Sequence, residues 1–177
     1  ILGQQVLMTK LKFPDISSAL SNSNLSEEVK QYLPLLKLGL PSNLDAWDGY
    51  PAERDRIFSL FKNNNSKLIS LAGDTHNAWF SKLLNNAEEH IGYEFGTPSV
   101  TSPGLSEYLN GVNPRELEQG IINANKEIKW VNTSHRGYTK IYLNESILKG
   151  TFKFIESVLE KSAEISFSKT FTIDPKS

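Results

Sequence analysis

A short and nearly all-apolar run, Leu68–Ala72, restricts the folds open to this chain more than any other segment. Runs of this kind are typical of a strand that is covered on both faces. The segment before it predicts a helix from about Pro51 to Lys62, because Pro51 suits a first helical turn, Glu53 complements the helix dipole, and apolar residues recur near the helical period. Asn63–Ser66 then ends the helix. A helix, a tight turn and a buried strand make half of a parallel α/β unit.

The remaining segments predict further elements of one α/β domain. Before the central unit we expect a strand within Gly3–Leu11, a surface loop over 15–26, and a helix that starts after Ser26 and ends or kinks at Pro34. After it we expect a helix through Trp79, Phe80, Leu83 and Leu84, a strand at Ile91–Phe95, a helix from Pro114, and a strand at Ile128–Val131. Alternation with a period of two predicts antiparallel strands at Tyr138–Leu143, Lys149–Ile155 and Ile165–Thr172.

Composition excludes several classes of protein. A chain of 177 residues can bury roughly 70% of its unfolded surface, so it can form a core unaided. Its 19 Lys and Arg against 20 Asp and Glu give a net charge of −1, which offers no basic surface for nucleic acid. Apolar stretches such as Leu33–Leu40 are too short and too interrupted for a membrane-spanning helix of about 20 residues.

The absence of cysteine restricts the chemistry further. It excludes a disulfide scaffold, a Cys-ligated metal and a thiol nucleophile. With three histidines in all, a metal site must rely on carboxylates, amides and backbone carbonyls, which suits calcium or ferric iron better than copper. The chain begins at Ile1 and has its single Met at position 8, so we expect that a leader has been removed or that the chain is a piece of something longer.

Gly73-Asp74-Thr75-His76, directly after the buried strand, is the best local signal for a site. Ligands of open α/β sheets gather beyond the carboxyl ends of strands. Asp74 and His76 are two residues apart and would point to the same side in extended geometry, so they could converge on one ion. The alternative is that Asp74 caps a helix beginning near Asn77, with His76 as an ordinary surface or core imidazole.

Other candidates carry weaker signals. His90 precedes a strand and fits a solvated turn, whereas His135 leads into a strand and could reach the site. Gly73-Asp74-Thr75 is similar to the Gly-Asp-Ser block of small lipases and esterases, but its hydroxyl is a threonine. The Gly-x-Ser-x-Gly elbow is also absent, which weighs against a serine hydrolase.

Five blocks of sequence together carry a family resemblance. They are Leu2-Gly3-Gln4-Gln5-Val6, Leu44-Asp45-Ala46-Trp47-Asp48-Gly49-Tyr50-Pro51-Ala52-Glu53-Arg54, Ala72-Gly73-Asp74-Thr75-His76-Asn77-Ala78-Trp79, Glu94-Phe95-Gly96-Thr97-Pro98-Ser99-Val100-Thr101-Ser102-Pro103-Gly104 and Arg136-Gly137-Tyr138. In this order they resemble the C-terminal portion of bacterial PhoD-like alkaline phosphatases, which are members of the calcineurin-like metallophosphoesterase superfamily. The resemblance runs from Leu2 to about Phe154, and it favours a metal-ligand role for Asp74 and His76 over helix capping.

The resemblance implies a fold, a chemistry and a set of site residues. The fold would be α/β, namely half of a four-layer αββα sandwich with a mixed sheet and an antiparallel C-terminal part. The chemistry would be hydrolysis of phosphate mono- or diesters with calcium and iron, in which metal ions activate water and neutralise charge on the phosphoryl oxygens. Asp74 and His76 correspond to the family's catalytic metal ligands. Asn77 and Trp79 are expected to line the substrate pocket.

Two departures from the family pattern affect this prediction. Many relatives carry an Asn-Pro-His-Ile-Lys block, and anchoring it on Ile128-Lys129 puts Glu127 at the His position and Asn125 at the Asn position. We therefore retain Glu127 as a third candidate metal ligand. The other metal-binding blocks of the family lie upstream of Leu2 and are missing, so Asp74, His76 and Glu127 supply too few ligands for a cluster.

The sequence as a whole predicts that residues 1–177 form the C-terminal part of a PhoD-like metallophosphatase domain. Its partners would be a small phosphoester and the upstream half of the same enzyme, without which the chain should bind metal poorly and hydrolyse little. The resemblance also implies a periplasmic, cell-envelope or extracellular location. The competing hypothesis is a non-catalytic binding or structural module that keeps a truncated form of this fold.

Overall fold

The computed structural model describes residues 1–12, 14–15, 41, 43–109, 111–161 and 164–174. Its strands are β1 (Leu2–Gly3), β2 (Leu68–Ala72), β3 (Ala78–Leu84), β4 (His90–Gly96), β5 (Ile128–Asn132), β6 (Gly137–Leu143), β7 (Leu148–Ile155) and β8 (Ile165–Ile173). Its α-helices are α1 (Pro51–Asn63), α2 (Leu105–Tyr108) and α3 (Pro114–Ala124), and a 3-10 turn covers Trp47–Gly49. Within these residues no helix is both long and apolar enough to cross a bilayer. Apart from Asp15, the loop predicted over 15–26 and the helix predicted after Ser26 lie outside the described residues.

A mixed five-stranded sheet forms the centre of the fold. Its strand order is β1-β2-β4-β3-β5, with β1, β2 and β4 parallel and β3 antiparallel to both β4 and β5. Four strands therefore run in one direction, and their carboxyl ends meet at a single edge. We call this the carboxyl edge; it is formed by the residues that follow Gly3, Ala72, Gly96 and Asn132 and by the start of β3.

A three-stranded antiparallel sheet, ordered β6-β7-β8, packs against one face of the mixed sheet. The contact is a cluster of buried side chains from both sheets, namely Ile69, Ala78, Phe80, Phe95, Leu148, Phe152, Phe154 and Ile173. The opposite face is covered by α1 through Phe58 and by α3 through Leu117 and Ile121. The described residues thus form three layers: helices, mixed sheet and antiparallel sheet.

Most predicted elements are confirmed with shifts of one or two residues, but the segment 78–84 is a strand and not a helix. Its apolar residues at 79, 80, 83 and 84 satisfy a helical period, yet Trp79 packs towards the helices and Phe80 towards the antiparallel sheet. A strand buried on both faces loses the polar alternation that identifies strands. The helix prediction for this segment is therefore wrong.

The strand predicted within Gly3–Leu11 is also shorter than expected, because only Leu2 and Gly3 pair with β2. Beyond them the backbone N–H groups of residues 8–11 donate to side chains. Met8 and Thr9 donate to the carboxylate of Glu94, Lys10 donates to Glu127 and Leu11 donates to Asp48. Carboxylates within the fold thus replace the ladder partners that a strand would need.

Candidate metal centre at the carboxyl edge

Three loops meet at the carboxyl edge and are held to one another by backbone hydrogen bonds. Gly73 N–H donates to the Gln5 carbonyl at 2.9 Å, and Thr97 N–H donates to the Ala72 carbonyl at 2.7 Å. Ser99 N–H lies 3.5 Å from the His76 carbonyl, and Gly137 N–H donates to the Ser99 carbonyl at 3.0 Å. The Gly73–His76 turn is therefore supported on both sides by neighbouring loops.

The Gly73–His76 turn contains two strained residues. Asp74 has φ 66° and His76 has φ 60°, which places both in the left-handed region. Asp and His enter this region more readily than most residues, but each such residue still costs roughly 1–3 kcal/mol. The backbone is therefore not extended here. The extended geometry from which we predicted that Asp74 and His76 point to the same side is wrong. No helix follows the turn either, so the helix-cap alternative for Asp74 is wrong.

His76 and Asp74 present different donor atoms at this turn. The Nδ1 of His76 lies 2.9 Å from the carbonyl oxygen of Pro103. Because a carbonyl oxygen only accepts, Nδ1 carries a proton, and in the neutral ring the free lone pair is then on Nε2. A ring nitrogen fixed in this way is the arrangement that histidine metal ligands use. The carboxylate of Asp74 is exposed.

Asn77 and Trp79 lie beneath the turn and are buried, which corrects the prediction that both line the substrate pocket. Their exposed fractions are 2% and 1%. Asn77 Nδ2 donates to the Thr75 carbonyl at 2.5 Å, and Trp79 Nε1 donates to Thr75 Oγ1 at 2.6 Å. These two side chains brace the turn from inside.

The structure places Glu127 at the other end of the sheet, which corrects its assignment as a ligand beside Asp74 and His76. Glu127 precedes β5, and Asn132, at the far end of that strand, pairs with Ala78 near the Gly73–His76 turn. Its carboxylate accepts from Arg54 Nη2 at 3.1 Å, and both side chains are buried. Burial raises the pKa of Glu127, although Arg54 opposes this effect. A buried and paired carboxylate at this end braces the fold and is closed to a metal shared with Asp74.

The two other histidines lie at opposite ends of the mixed sheet. His90 begins β4 at the end of the sheet away from the site, and burial together with Lys67 and Lys82 lowers its pKa to about 4. His135 follows β5 at the carboxyl edge, half-buried, with its ring edge against Phe154 and Phe167. Burial lowers the pKa of His135. It is therefore a neutral aromatic side chain that packs against the antiparallel sheet.

Sequence reasoning missed the residues that surround His76 from the loop after β4. Pro103 supplies the carbonyl described above, and Glu107 of α2 forms a hydrogen-bonded ion pair with Arg136. Glu107 and Arg136 are 29 residues apart, so no local spacing connects them. Arg136 was visible only as part of the Arg-Gly-Tyr block.

The donors at the carboxyl edge fit part of a metal centre. Asp74 offers a carboxylate and His76 a lone pair on Nε2, a mixed oxygen and nitrogen set. Within the ranges that the structure describes, no three His, Cys, Asp or Glu side chains come together to hold an ion. At this edge the described residues thus present one carboxylate and one imidazole, which are fewer donors than a complete metal site needs.

Comparison with known proteins identifies the family of this chain. The model of the PhoD-like phosphatase family matches residues 1–152. The chain belongs to the PhoD-like phosphatase family. Alkaline phosphatase D of Bacillus subtilis (strain 168) is 32% identical to it over 134 residues, which cover 73% of this chain. A solved structure described as that of PhoD matches the fold with a TM-score of 0.66 over 98% of this chain, at 24% sequence identity.

This PhoD-like chain is short beside its relatives. It spans 22% of the length of the Bacillus alkaline phosphatase D and 30% of the solved PhoD chain. The α/β fold, with a mixed five-stranded sheet and an antiparallel three-stranded sheet, matches part of that structure. Metal dependence and a phosphoester substrate are general properties that the PhoD-like family implies.

Proposed function

We propose that this chain provides the Asp74 and His76 ligands of a metal-dependent phosphoesterase that hydrolyses phosphate mono- or diesters. The observation that supports this most is the strained Gly73–His76 turn, which carries an exposed carboxylate and an imidazole whose Nδ1 is committed to Pro103. Calcium and iron are the ions we propose, because oxygen and imidazole donors without thiolates suit hard cations. When bound, such ions polarise the phosphoryl group and lower the pKa of water.

The roles of this chain's own residues follow from their contacts. Asp74 and His76 would hold the metal, and Thr75 between them is fixed by Asn77 and Trp79. Strain in the turn is maintained because the buried residues below it and the loops beside it determine its backbone. The turn is thus preorganised before any ion or substrate arrives, which lowers the entropic cost of binding.

An upstream half of the same protein is the partner we propose, and the edges of the two sheets support this. Among the described residues, β1 ends the mixed sheet and β6 ends the antiparallel sheet. The two edge strands lie on the same side, since Gly3 and Thr139 line one cavity of about 410 Å³ with Gly73 and Thr97. Additional strands could continue both sheets here and bring further ligands next to Asp74. The four-layer αββα sandwich would then be completed by that half.

Turnover of p-nitrophenyl phosphate and of bis-p-nitrophenyl phosphate tests this function. We expect the 177-residue chain with calcium and iron to show little hydrolysis, and we expect Asp74→Ala to remove what there is. The control is Glu145→Ala, which removes an exposed carboxylate after the end of β6 that lies opposite Gly137 and the carboxyl edge. Strong hydrolysis that survives Asp74→Ala would contradict the proposal. If the wild type and Asp74→Ala are equally inactive and no metal binds at the turn, a non-catalytic module is favoured.

A periplasmic, cell-envelope or extracellular location is also proposed, supported by the family resemblance alone. Fractionation of the producing cells with an antibody against this chain tests it. Recovery in the envelope or the medium is expected, and recovery in the cytosol alone would contradict it.

A further inference from the structure

The loop whose carbonyl contacts His76 is held in place by side chains other than His76. Pro103, whose carbonyl accepts the hydrogen bond from His76 Nδ1, is followed by Gly104 and the short helix α2. Gly104 N–H donates to Glu107 Oε2 at 3.0 Å, and the other oxygen of that carboxylate accepts from Arg136 Nη2. The arginine is 5% exposed, so this ion pair is partly shielded from water.

A second contact fixes the same loop from the side of the turn. Leu105 N–H donates to Asn77 Oδ1 at 3.0 Å, so the residue that follows His76 also holds the loop. Gly104 lies between the two anchors: a Cβ there would be 2.6 Å from Asn77 Oδ1 and 3.2 Å from Arg136 Nη1. The loop can approach this closely only because residue 104 has no side chain.

Among the described residues, the buried guanidinium of Arg136 pairs with one carboxylate, that of Glu107. Its Nη1 has no hydrogen-bond partner in the described part of the chain. Burial alone would raise the pKa of Glu107, but the bonds from Arg136 and from Gly104 N–H outweigh it, so the pKa lies below the ordinary value. Glu107 is therefore ionised at neutral pH, and charge-assisted bonds of this kind are stronger than neutral ones.

We propose that Glu107 and Arg136 are positioning residues that hold the Pro103 carbonyl against His76 and thereby fix its imidazole with the proton on Nδ1. The inference rests on the proposed function in one respect, since the fixed lone pair on Nε2 is what a metal would use. Both residues are proposed to act on His76 through the segment Pro103–Gly104 and not through the metal or the substrate. Outer contacts of this type orient histidine ligands, and losing them typically costs 10–100-fold in metal affinity.

The tautomer of His76 in the metal-free chain tests the proposal without any activity assay. The three histidines are labelled with ¹⁵N and assigned through His90→Gln and His135→Gln. At about pH 8 the wild type should show widely separated ring nitrogen shifts for His76, with the proton on Nδ1. In Glu107→Ala the two shifts should move towards their average, whereas Glu107→Gln, whose amide oxygen can still accept, should restore much of the separation.

Two further measurements separate orientation from folding and from metal binding. Glu53→Ala, which removes an exposed glutamate of α1, should leave the His76 shifts unchanged, and far-UV circular dichroism monitors folding. The Mn²⁺ concentration that half-broadens the His76 signals should rise about tenfold in Glu107→Ala. Unchanged His76 shifts in folded Glu107→Ala would overturn the proposal. A shifted tautomer without Mn²⁺ binding at His76 would support the positioning role and contradict the metal function.

Discussion

Buried charged residues, and not backbone ladders, hold the irregular segment that follows β1. Glu94 is fully buried and accepts from the backbone of Met8 and Thr9, while Ser70 Oγ donates to the same carboxylate. Arg54 Nε donates to the Met8 carbonyl and its Nη2 binds Glu127. This network fixes the chain that leads away from the Gln4-Gln5 pair, and Gln5 in turn supports Gly73.

Arg54→Ala tests that network. The substitution leaves the carboxylate of Glu127 buried and unpaired, so the free energy of unfolding should fall by about 3–5 kcal/mol. Urea denaturation followed by fluorescence measures the change. Arg56→Ala is the matched control, because Arg56 is exposed and its pair with Glu53 should contribute less than about 1 kcal/mol. A loss at Arg54 no larger than that at Arg56 would contradict the account.

At the residue scale, sequence reasoning identified candidate ligands but not the residues that support them. Asp74 and His76 could be singled out because they follow a recognisable buried strand within one short block. Pro103 could not, since 27 residues separate it from His76 and its contribution is a backbone carbonyl that any residue could supply. Glu127 was misplaced because a motif position fixes no direction along the sheet.

At the scale of elements, the contact between the two sheets depends on one glycine in β7. A Cβ on Gly150 would lie 2.0 Å from the ring of Phe95 in β4. That ring is 1% exposed and packs against Phe80 and Phe152, so it has no room to move aside. The antiparallel sheet can therefore approach the mixed sheet closely only with glycine at this position.

Gly150→Ala should therefore destabilise the fold, by about 1–3 kcal/mol or more through overpacking. Gly3→Ala is the matched control, because no heavy atom lies within 4 Å of a Cβ at that position. It should change stability by no more than about 0.5 kcal/mol. Thermal and urea unfolding of both variants give the comparison, and equal stability of the two would show that the sheets pack differently.

Sequence patterns predicted elements well where one face is exposed. The helix α3 has one buried face, and the strand β7 alternates between buried and more exposed positions, so their periods identify them. The segment 78–84 was misassigned because it is buried between two layers, where both faces are apolar. Tertiary burial decided its conformation, and no local pattern recorded that burial.

At the scale of the whole molecule, the described residues form an assembled core with a candidate site at one edge. Three layers enclose the buried clusters, and two candidate ligands stand at the carboxyl edge next to the open strands β1 and β6. The fold class and the family could be predicted from five ordered blocks. The full set of ligands could not, because no spacing in the sequence shows which distant side chains the fold brings together.

The central claim is that a metal binds at the Gly73–His76 turn through Asp74 and His76. Titrating the ¹⁵N-labelled chain with paramagnetic Mn²⁺, which accepts carboxylate and imidazole ligands, tests it directly even if binding is weak. We expect the amide signals of residues 73–77 to broaden first, Asp74→Ala to abolish this broadening, and Glu145→Ala, at the far end of β6, to preserve it. Broadening centred elsewhere on the chain, or broadening at the turn that persists in Asp74→Ala, would contradict it.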